Sequence, residues 1–170
     1  MIVLIAGATH TGKTFLAQKL LEKYGFPYLS IDLLKMGLIR SKNTDLTVED
    51  DTQLTAYLWP IVCEIIKTAV ENNQNLVIEG CYIPFDWKKY FGKRYLEKIR
   101  YYCLVMSETY IRKNFNTIKA KANVIENRID DSWLEKEKLI ALNAHNRTMC
   151  RKHACDYIFI NDEYCVNIDI

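Results

Sequence analysis

Gly7-Ala8-Thr9-His10-Thr11-Gly12-Lys13-Thr14 is the stretch on which the reading of this chain turns. It has the form G-x-x-x-x-G-K-[ST], with the apolar run Ile2 to Ala6 before it and the helix-compatible Phe15 to Leu21 after it. Glycines at both ends let the backbone curl so that successive N–H groups point inward at phosphate oxygens, and the following helix adds the positive end of its dipole. Gly7, Thr9, His10, Thr11, Gly12, Lys13 and Thr14 are therefore candidate phosphate-binding positions. Lys13 is placed to reach β- and γ-phosphates, and Thr14 to offer its hydroxyl to Mg²⁺. His10 occupies a variable position of the pattern, so its default role is to brace the loop or face solvent.

The chain has 170 residues, 49% hydrophobic and 26% charged, which fits one domain over residues 1–170 with a substantial core. Its net charge is +2 with the basic residues spread out, which argues against a dedicated nucleic-acid binder. The opening apolar run ends at Gly7, too short for a membrane span and without the features of a secretion signal, so a cytoplasmic protein is expected. Six cysteines without a C-x-x-C pair read as free, largely buried thiols. Cys150, His153 and Cys155 offer three close zinc ligands but no obvious fourth.

Strands are expected at the apolar run before Gly7, at Tyr28–Ile31, Leu76–Ile78, Tyr101–Val105 and Tyr157–Ile160. Helices are expected over Lys13–Tyr24, Leu33–Ile39, Asp51–Asn72 with Pro60 bending it, and from Ser107 to Ile118. The S-x-x-E form of Ser132 to Glu135 reads as a capping box opening a last helix to about His153. Tyr164 to Ile168 is read as a possible edge strand. Residues 81–96 are aromatic and basic without a clean period. The polar stretch 119–132, which contains Arg128, is the candidate lid.

Five short apolar strands alternating with helices predict an α/β fold: a five-stranded parallel sheet with helices on both faces, in three layers. Ligands then collect at the carboxyl ends of the strands. Asp32 falls at the end of the second strand, where it could also cap the following helix, and Glu79-Gly80 ends the third. The phosphate-binding stretch, Asp32 and Glu79 are accordingly read as one site.

With these residues placed, the chain resembles the P-loop kinases of the nucleoside-monophosphate-kinase-like group, which includes adenylate, shikimate and gluconate kinases and antibiotic and zeta-toxin phosphotransferases. The resemblance implies the P-loop NTPase fold, ATP and Mg²⁺ at Gly7 to Thr14, an acidic residue after the second strand at Asp32, an acidic-glycine pair at Glu79-Gly80, and a lid arginine at Arg128. In adenylate kinases the corresponding motifs resemble D-x-L-R and D-G-F-P-R. Here they read Asp32-Leu33-Leu34-Lys35 and Glu79-Gly80-Cys81-Tyr82-Ile83-Pro84. One arginine is a lysine and the other is missing, and lysine reproduces bidentate phosphate pairing poorly. Asn114 also stands where adenylate kinases carry an arginine over the adenine.

Among antibiotic and toxin kinases, the aspartate after the second strand resembles a general base for a hydroxyl acceptor. The resemblance thus implies an ATP-dependent phosphotransferase with Lys13, Asp32 and Arg128 as catalytic candidates, Thr14 and Glu79 at the metal, and ATP and a small-molecule acceptor as partners. For Asp32 a helix cap or a place in the Mg²⁺ shell remains open, as does a plain strand-end role for Glu79. Arg112, Arg147 and Arg151 are alternatives to Arg128, with surface solvation as the default of each. Rival readings are a nucleoside or nucleotide kinase, a non-catalytic nucleotide-binding module, and a polynucleotide 5'-hydroxyl kinase. The absence of D-x-x-G after a suitable strand and of N-K-x-D speaks against a GTPase.

Overall fold

An aliphatic run with no polar alternation has two faces to bury, and Ile2–Gly7 accordingly forms a central strand, β1, in which all six residues are buried. Its alternate side chains serve opposite layers: Ile2, Leu4 and Ala6 enter one core, Val3 and Ile5 the other. The computed structural model describes residues 1–121 and 134–170. After β1 come α1 (Lys13–Tyr24), β2 (Tyr28–Ser30), α2 (Ile31–Arg40), α3 (Asp51–Glu71) and β3 (Leu76–Glu79). A 3-10 turn at Trp87–Tyr90 and the short α4 (Lys93–Leu96) lead to β4 (Ile99–Met106), α5 (Glu108–Ala120), α6 (Lys136–Lys152) and β5 (Tyr157–Ile160).

The five strands form one sheet in the order β2-β3-β1-β4-β5, every pairing parallel. The chain leaves β1 for the far edge, returns to β3 and then hops over β1 to β4. The order reverses at β1, and open α/β sheets bind their ligands beyond the carboxyl ends of the strands at such a point. On one side α3 buries Leu54, Leu58, Val62 and Ile66; on the other α1 buries Leu16 and Leu20, and α5 buries Ile111 and Ile118. Each such side chain contributes about 1.5–3 kcal/mol on leaving water. The expected α/β fold with helices on both faces is thus the observed one.

Pro60 lies inside α3 on an exposed position, and its neighbour Trp59 is 1% exposed, packed edge-on to Phe91 at 6.2 Å. The aperiodic stretch 81–96 packs onto the same core through Tyr82, Ile83, Trp87 and Phe91. Trp87 stacks on Tyr101 with ring centroids 5.6 Å apart. The cluster read as an incomplete zinc set is spent on packing as well. Cys150 is buried, the Cys155 thiol donates to the Phe85 carbonyl at 3.2 Å, and His153 stacks on the Phe85 ring.

Three expectations are corrected. The last helix begins at Lys136, with Glu135 extended before it, so Glu135 is not the third residue of a capping box begun at Ser132; Ser132 itself lies outside the described residues. Tyr164 to Ile168 is not a strand: Val166 and Ile168 bury their side chains with α1 and α5 residues, which satisfies the alternation without sheet pairing. Asp32 does not cap α2, because the helix starts at Ile31 with Ser30 preceding it, which puts Asp32 inside the first turn. Most of the candidate lid, including Arg128, also lies outside the described residues.

Candidate active site

The loop after β1 takes its shape from three backbone positions with positive φ: Gly7 at 143°, His10 at 63° and Gly12 at 84°. A Cβ on Gly7 would stand 2.7 Å from the Leu104 carbonyl oxygen and 2.8 Å from Thr11 Oγ1, so the close approach of the loop to β4 requires glycine. Thr11 is fully buried and its hydroxyl donates to the Ala8 carbonyl at 2.8 Å, closing the loop on itself. α1 then begins at Lys13, with its first-turn amides lacking carbonyl partners within the helix. Backbone amides placed in this way are suited to receive an anion.

Lys13 is 6% exposed, and its ammonium donates to the Ala8 carbonyl at 2.9 Å. Burial alone would pull its pKa down, but the Cys81 thiol, Glu79 and Asp32 act in the opposite direction and prevail, so the ammonium is held above the ordinary lysine value. The same charges show that Lys13, Glu79 and Asp32 share one region. Thr14 Oγ1 donates to Glu79 Oε1 at 3.2 Å, joining the start of α1 to the end of β3. Glu79 is 1% exposed and stands in register with Ile5 on one side and Ser30 on the other.

What brings Asp32 to this edge is the glycine after Glu79. A Cβ on Gly80 would lie 2.9 Å from Ile31 Cβ, so only the bare backbone lets the buried first residue of α2 pack against the end of β3. Asp32, next in sequence, keeps its side chain 42% exposed and accepts from Lys35 Nζ at 2.6 Å. Lys35 also donates to the Tyr82 hydroxyl at 3.0 Å, and Tyr82 donates to Asp51 Oδ1 at 3.0 Å. Burial tends to lower the Lys35 pKa, but Asp32 and Tyr82 raise it overall. Burial pushes the Tyr82 phenol up to about 12.

Sequence reasoning missed Asp51 and Tyr82, which join this chain of hydrogen bonds from the start of α3 and from the aromatic stretch. It missed Tyr164 too, whose hydroxyl donates to the Thr11 carbonyl at 3.0 Å and would touch any Cβ added to Gly12. Two of the three alternative arginines have contacts elsewhere. Arg112 bridges Glu108 and Glu137 at 2.8 and 2.7 Å, and Arg147 lies over the Phe159 ring at 4.1 Å. Asn114 donates to the Tyr110 carbonyl at 3.0 Å within α5.

This geometry is similar to that of solved structures along nearly the whole chain. A candidate kinase from Chloroflexus aurantiacus is similar with a TM-score of 0.58 at 16% identity, over 99% of this chain and 91% of that one. Shikimate kinase from Bacteroides thetaiotaomicron gives 0.54 at 15%, over 96% and 88%. Deoxyadenosine kinase from M. mycoides gives 0.54 at 14%, over 96% and 90%. The chain shares its three-layer α/β fold with these structures. At these identities the likeness extends to the fold alone; no family model matches the chain, and no curated protein matches it in sequence. Within this fold, Gly7 to Thr14 occupy the loop between β1 and α1, and Glu79 and Asp32 lie at the carboxyl ends of β3 and β2. Among the described residues, no helix is long and apolar enough to cross a membrane.

Proposed function

We propose that this chain is an ATP-dependent phosphotransferase that moves the γ-phosphoryl group of ATP to a hydroxyl of a small molecule, with Mg²⁺ as its metal. The observation that carries this reading is the Thr14–Glu79 hydrogen bond beside the buried Lys13, with Asp32 on the same edge. A hydroxyl and a buried carboxylate are hard oxygen donors suited to Mg²⁺ or to its waters. The metal, when bound, neutralises charge on the phosphate oxygens.

The chain's own residues then divide the work. Backbone amides from Gly7 to Thr14 hold the phosphates, and Lys13 offsets the charge that builds on the transferring group and the departing ADP. Asp32 orients the acceptor hydroxyl in line and accepts its proton as the new P–O bond forms and the bond to ADP breaks. Because the transition state is loose, the proton moves late, and a carboxylate steadied by Lys35 serves better by position than by basicity. Arg128 is the proposed further cation over the phosphates, from the stretch 119–132 proposed as a lid. All six cysteines are free, which fits a reducing, cytoplasmic compartment.

The test is ADP release from ATP-Mg²⁺ over a panel of hydroxyl compounds, with Lys13→Met alongside. Acceptor-dependent release that the variant loses, with unchanged circular dichroism, is the expected result. A well-folded Lys13→Met protein of near-normal turnover would remove the assignment.

A further inference from the structure

An acceptor that carries a phosphate or carboxylate needs a cation with charge to spare. Arginine is the usual supplier because its fork pairs two oxygens at once. Here the cation beside Asp32 is Lys35, and its charge is already committed. Its side chain is only 12% exposed, Asp32 lies 2.6 Å from its ammonium, the Tyr82 hydroxyl takes a second N–H, and the Tyr82 ring centroid lies 5.0 Å away. Tyr82 donates its hydroxyl hydrogen bond to Asp51, which places a second carboxylate behind the first. Asp32, Lys35, Tyr82 and Asp51 together therefore hold two negative charges against one positive. Seating an anion on Lys35 would strand Asp32 without its partner, next to the phosphates bound by Lys13.

An uncharged acceptor meets the opposite situation. Each aspartate has one oxygen in the hydrogen-bond chain, and both carboxylates remain open to solvent, Asp32 at 42% of its side chain and Asp51 at the exposed start of α3. These oxygens accept from hydroxyls or amines without displacing Lys35. Three hydrogen bonds, of 2.6, 3.0 and 3.0 Å, link the two carboxylates through Lys35 and Tyr82. A further polar group is close by: Ser30, 1% exposed, stands in register with Glu79 and precedes Ile31-Asp32, and its hydroxyl has no hydrogen-bond partner among the described residues.

We propose that Asp32, Lys35, Tyr82 and Asp51 form an acceptor subsite that selects an uncharged or cationic polyhydroxylated compound, of the sugar, amino-sugar or nucleoside class, and rejects phosphorylated and carboxylated ones. This rests on the phosphotransferase reading above for the identity of the acceptor side, and it adds the charge class. Asp51 becomes a specificity residue, binding a hydroxyl or ammonium of the acceptor remote from the one that reacts.

Binding and turnover are measured on matched pairs: a hexose, an amino sugar and a nucleoside, each against its phosphate monoester or uronic acid. Calorimetry is run with a non-hydrolysable ATP analogue and Mg²⁺, and ADP release with ATP. The expected result is tighter binding of at least one uncharged or aminated member, by about tenfold or more over its anionic counterpart. Asp51→Asn should erase most of the advantage of the amino sugar and leave ATP affinity unchanged. Equal or tighter binding of the anionic members overturns the proposal. So does a panel in which no member distinguishes the wild-type protein from Asp51→Asn. Selective binding with no ADP release would sink the phosphotransferase reading and leave the charge selection standing, whereas ADP release with an anionic acceptor preferred would do the reverse.

Discussion

Gly12→Ala tests whether the carboxyl-terminal segment braces the phosphate loop, and its cost can be worked from two contacts. Gly12 has φ 84°, a left-handed conformation that costs an alanine about 1–2 kcal/mol. Its new methyl would also stand 1.9 Å from the Tyr164 hydroxyl. That hydroxyl is the far end of a rotatable side chain, so Tyr164 moves and the loop stays. The second part of the cost is then capped by what Tyr164 gains in place: a hydrogen bond to the Thr11 carbonyl, about 1 kcal/mol, and partial burial of its ring, about 1–2 kcal/mol. Gly12→Ala should therefore destabilise the native chain by at most about 3–5 kcal/mol. In a Tyr164→Ala background only the backbone strain remains, about 1–2 kcal/mol. Urea denaturation of the wild type, both single variants and the double variant measures the coupling, expected to reach at most about 2–3 kcal/mol. Equal costs of Gly12→Ala in both backgrounds would refute the bracing role and the contact behind it.

Alkaline stability should follow Tyr82. Its folded pKa, up at about 12, exceeds the unfolded value near 10, so its contribution is complete below pH 10 and is lost as pH climbs towards 12. Denaturation midpoints over that window should fall less steeply in Tyr82→Phe, and an identical slope would remove the effect. If 119–132 closes over nucleotide, limited proteolysis there should slow when a non-hydrolysable ATP analogue and Mg²⁺ are added; unchanged cleavage with saturating ligand would end the lid reading. Asp32→Asn should lower turnover by about 10²–10⁴-fold with ATP affinity little altered, while Glu79→Gln should raise the Mg²⁺ concentration needed for half-maximal rate. An Asp32→Asn protein that turns over normally at saturating Mg²⁺ would move Asp32 into the metal shell.

The fold was legible because its signals are local and repeated. Five apolar runs of strand length, each followed or preceded by a helical period, leave little choice but a covered parallel sheet, and Gly25 ends α1 where its left-handed φ of 71° requires. The same locality explains the failures. The alternation of Tyr164, Val166 and Ile168 is what an edge strand would show, yet Val166 and Ile168 are buried with the helical layer beside α1 and α5. Ser132 to Glu135 carries the letters of a capping box, but the extended backbone of Glu135 delays α6 to Lys136. In the site, Gly7 to Thr14 and Glu79 were readable from motif and strand end. The partners of Asp32 were not. Lys35 is three residues on and was weighed only as a substitute for arginine, while Tyr82 joins it across 47 residues of sequence separation and Asp51 joins Tyr82 across 31, by contacts that only the packed sheet brings about.

On the proposed reading, the hydrogen bonds inside the site make its ligands depend on one another. Lys13 gives its ammonium to the Ala8 carbonyl, and Thr14 gives its hydroxyl to Glu79. Both are groups that the proposed phosphate and metal would recruit, so each ligand would replace a bond the loop makes. A nucleotide that draws Lys13 away from Ala8 brings negative charge towards Glu79, which favours a cation there. A cation that turns Thr14 away from Glu79 offsets part of the negative charge the phosphates meet. Any such preference is reciprocal by thermodynamic necessity: whatever factor the metal adds to nucleotide affinity, the nucleotide adds to metal affinity. On that reading the buried Glu79 would be the group that links the two, because it contacts Thr14 and its charge acts on Lys13. Asp32 also acts on Lys13, but its own hydrogen-bond partner is Lys35, on the acceptor side. On the proposed reading, one lysine would serve the donor and the other the acceptor, and Asp32, which pairs with Lys35 and whose charge also acts on Lys13, would couple the two halves of the site.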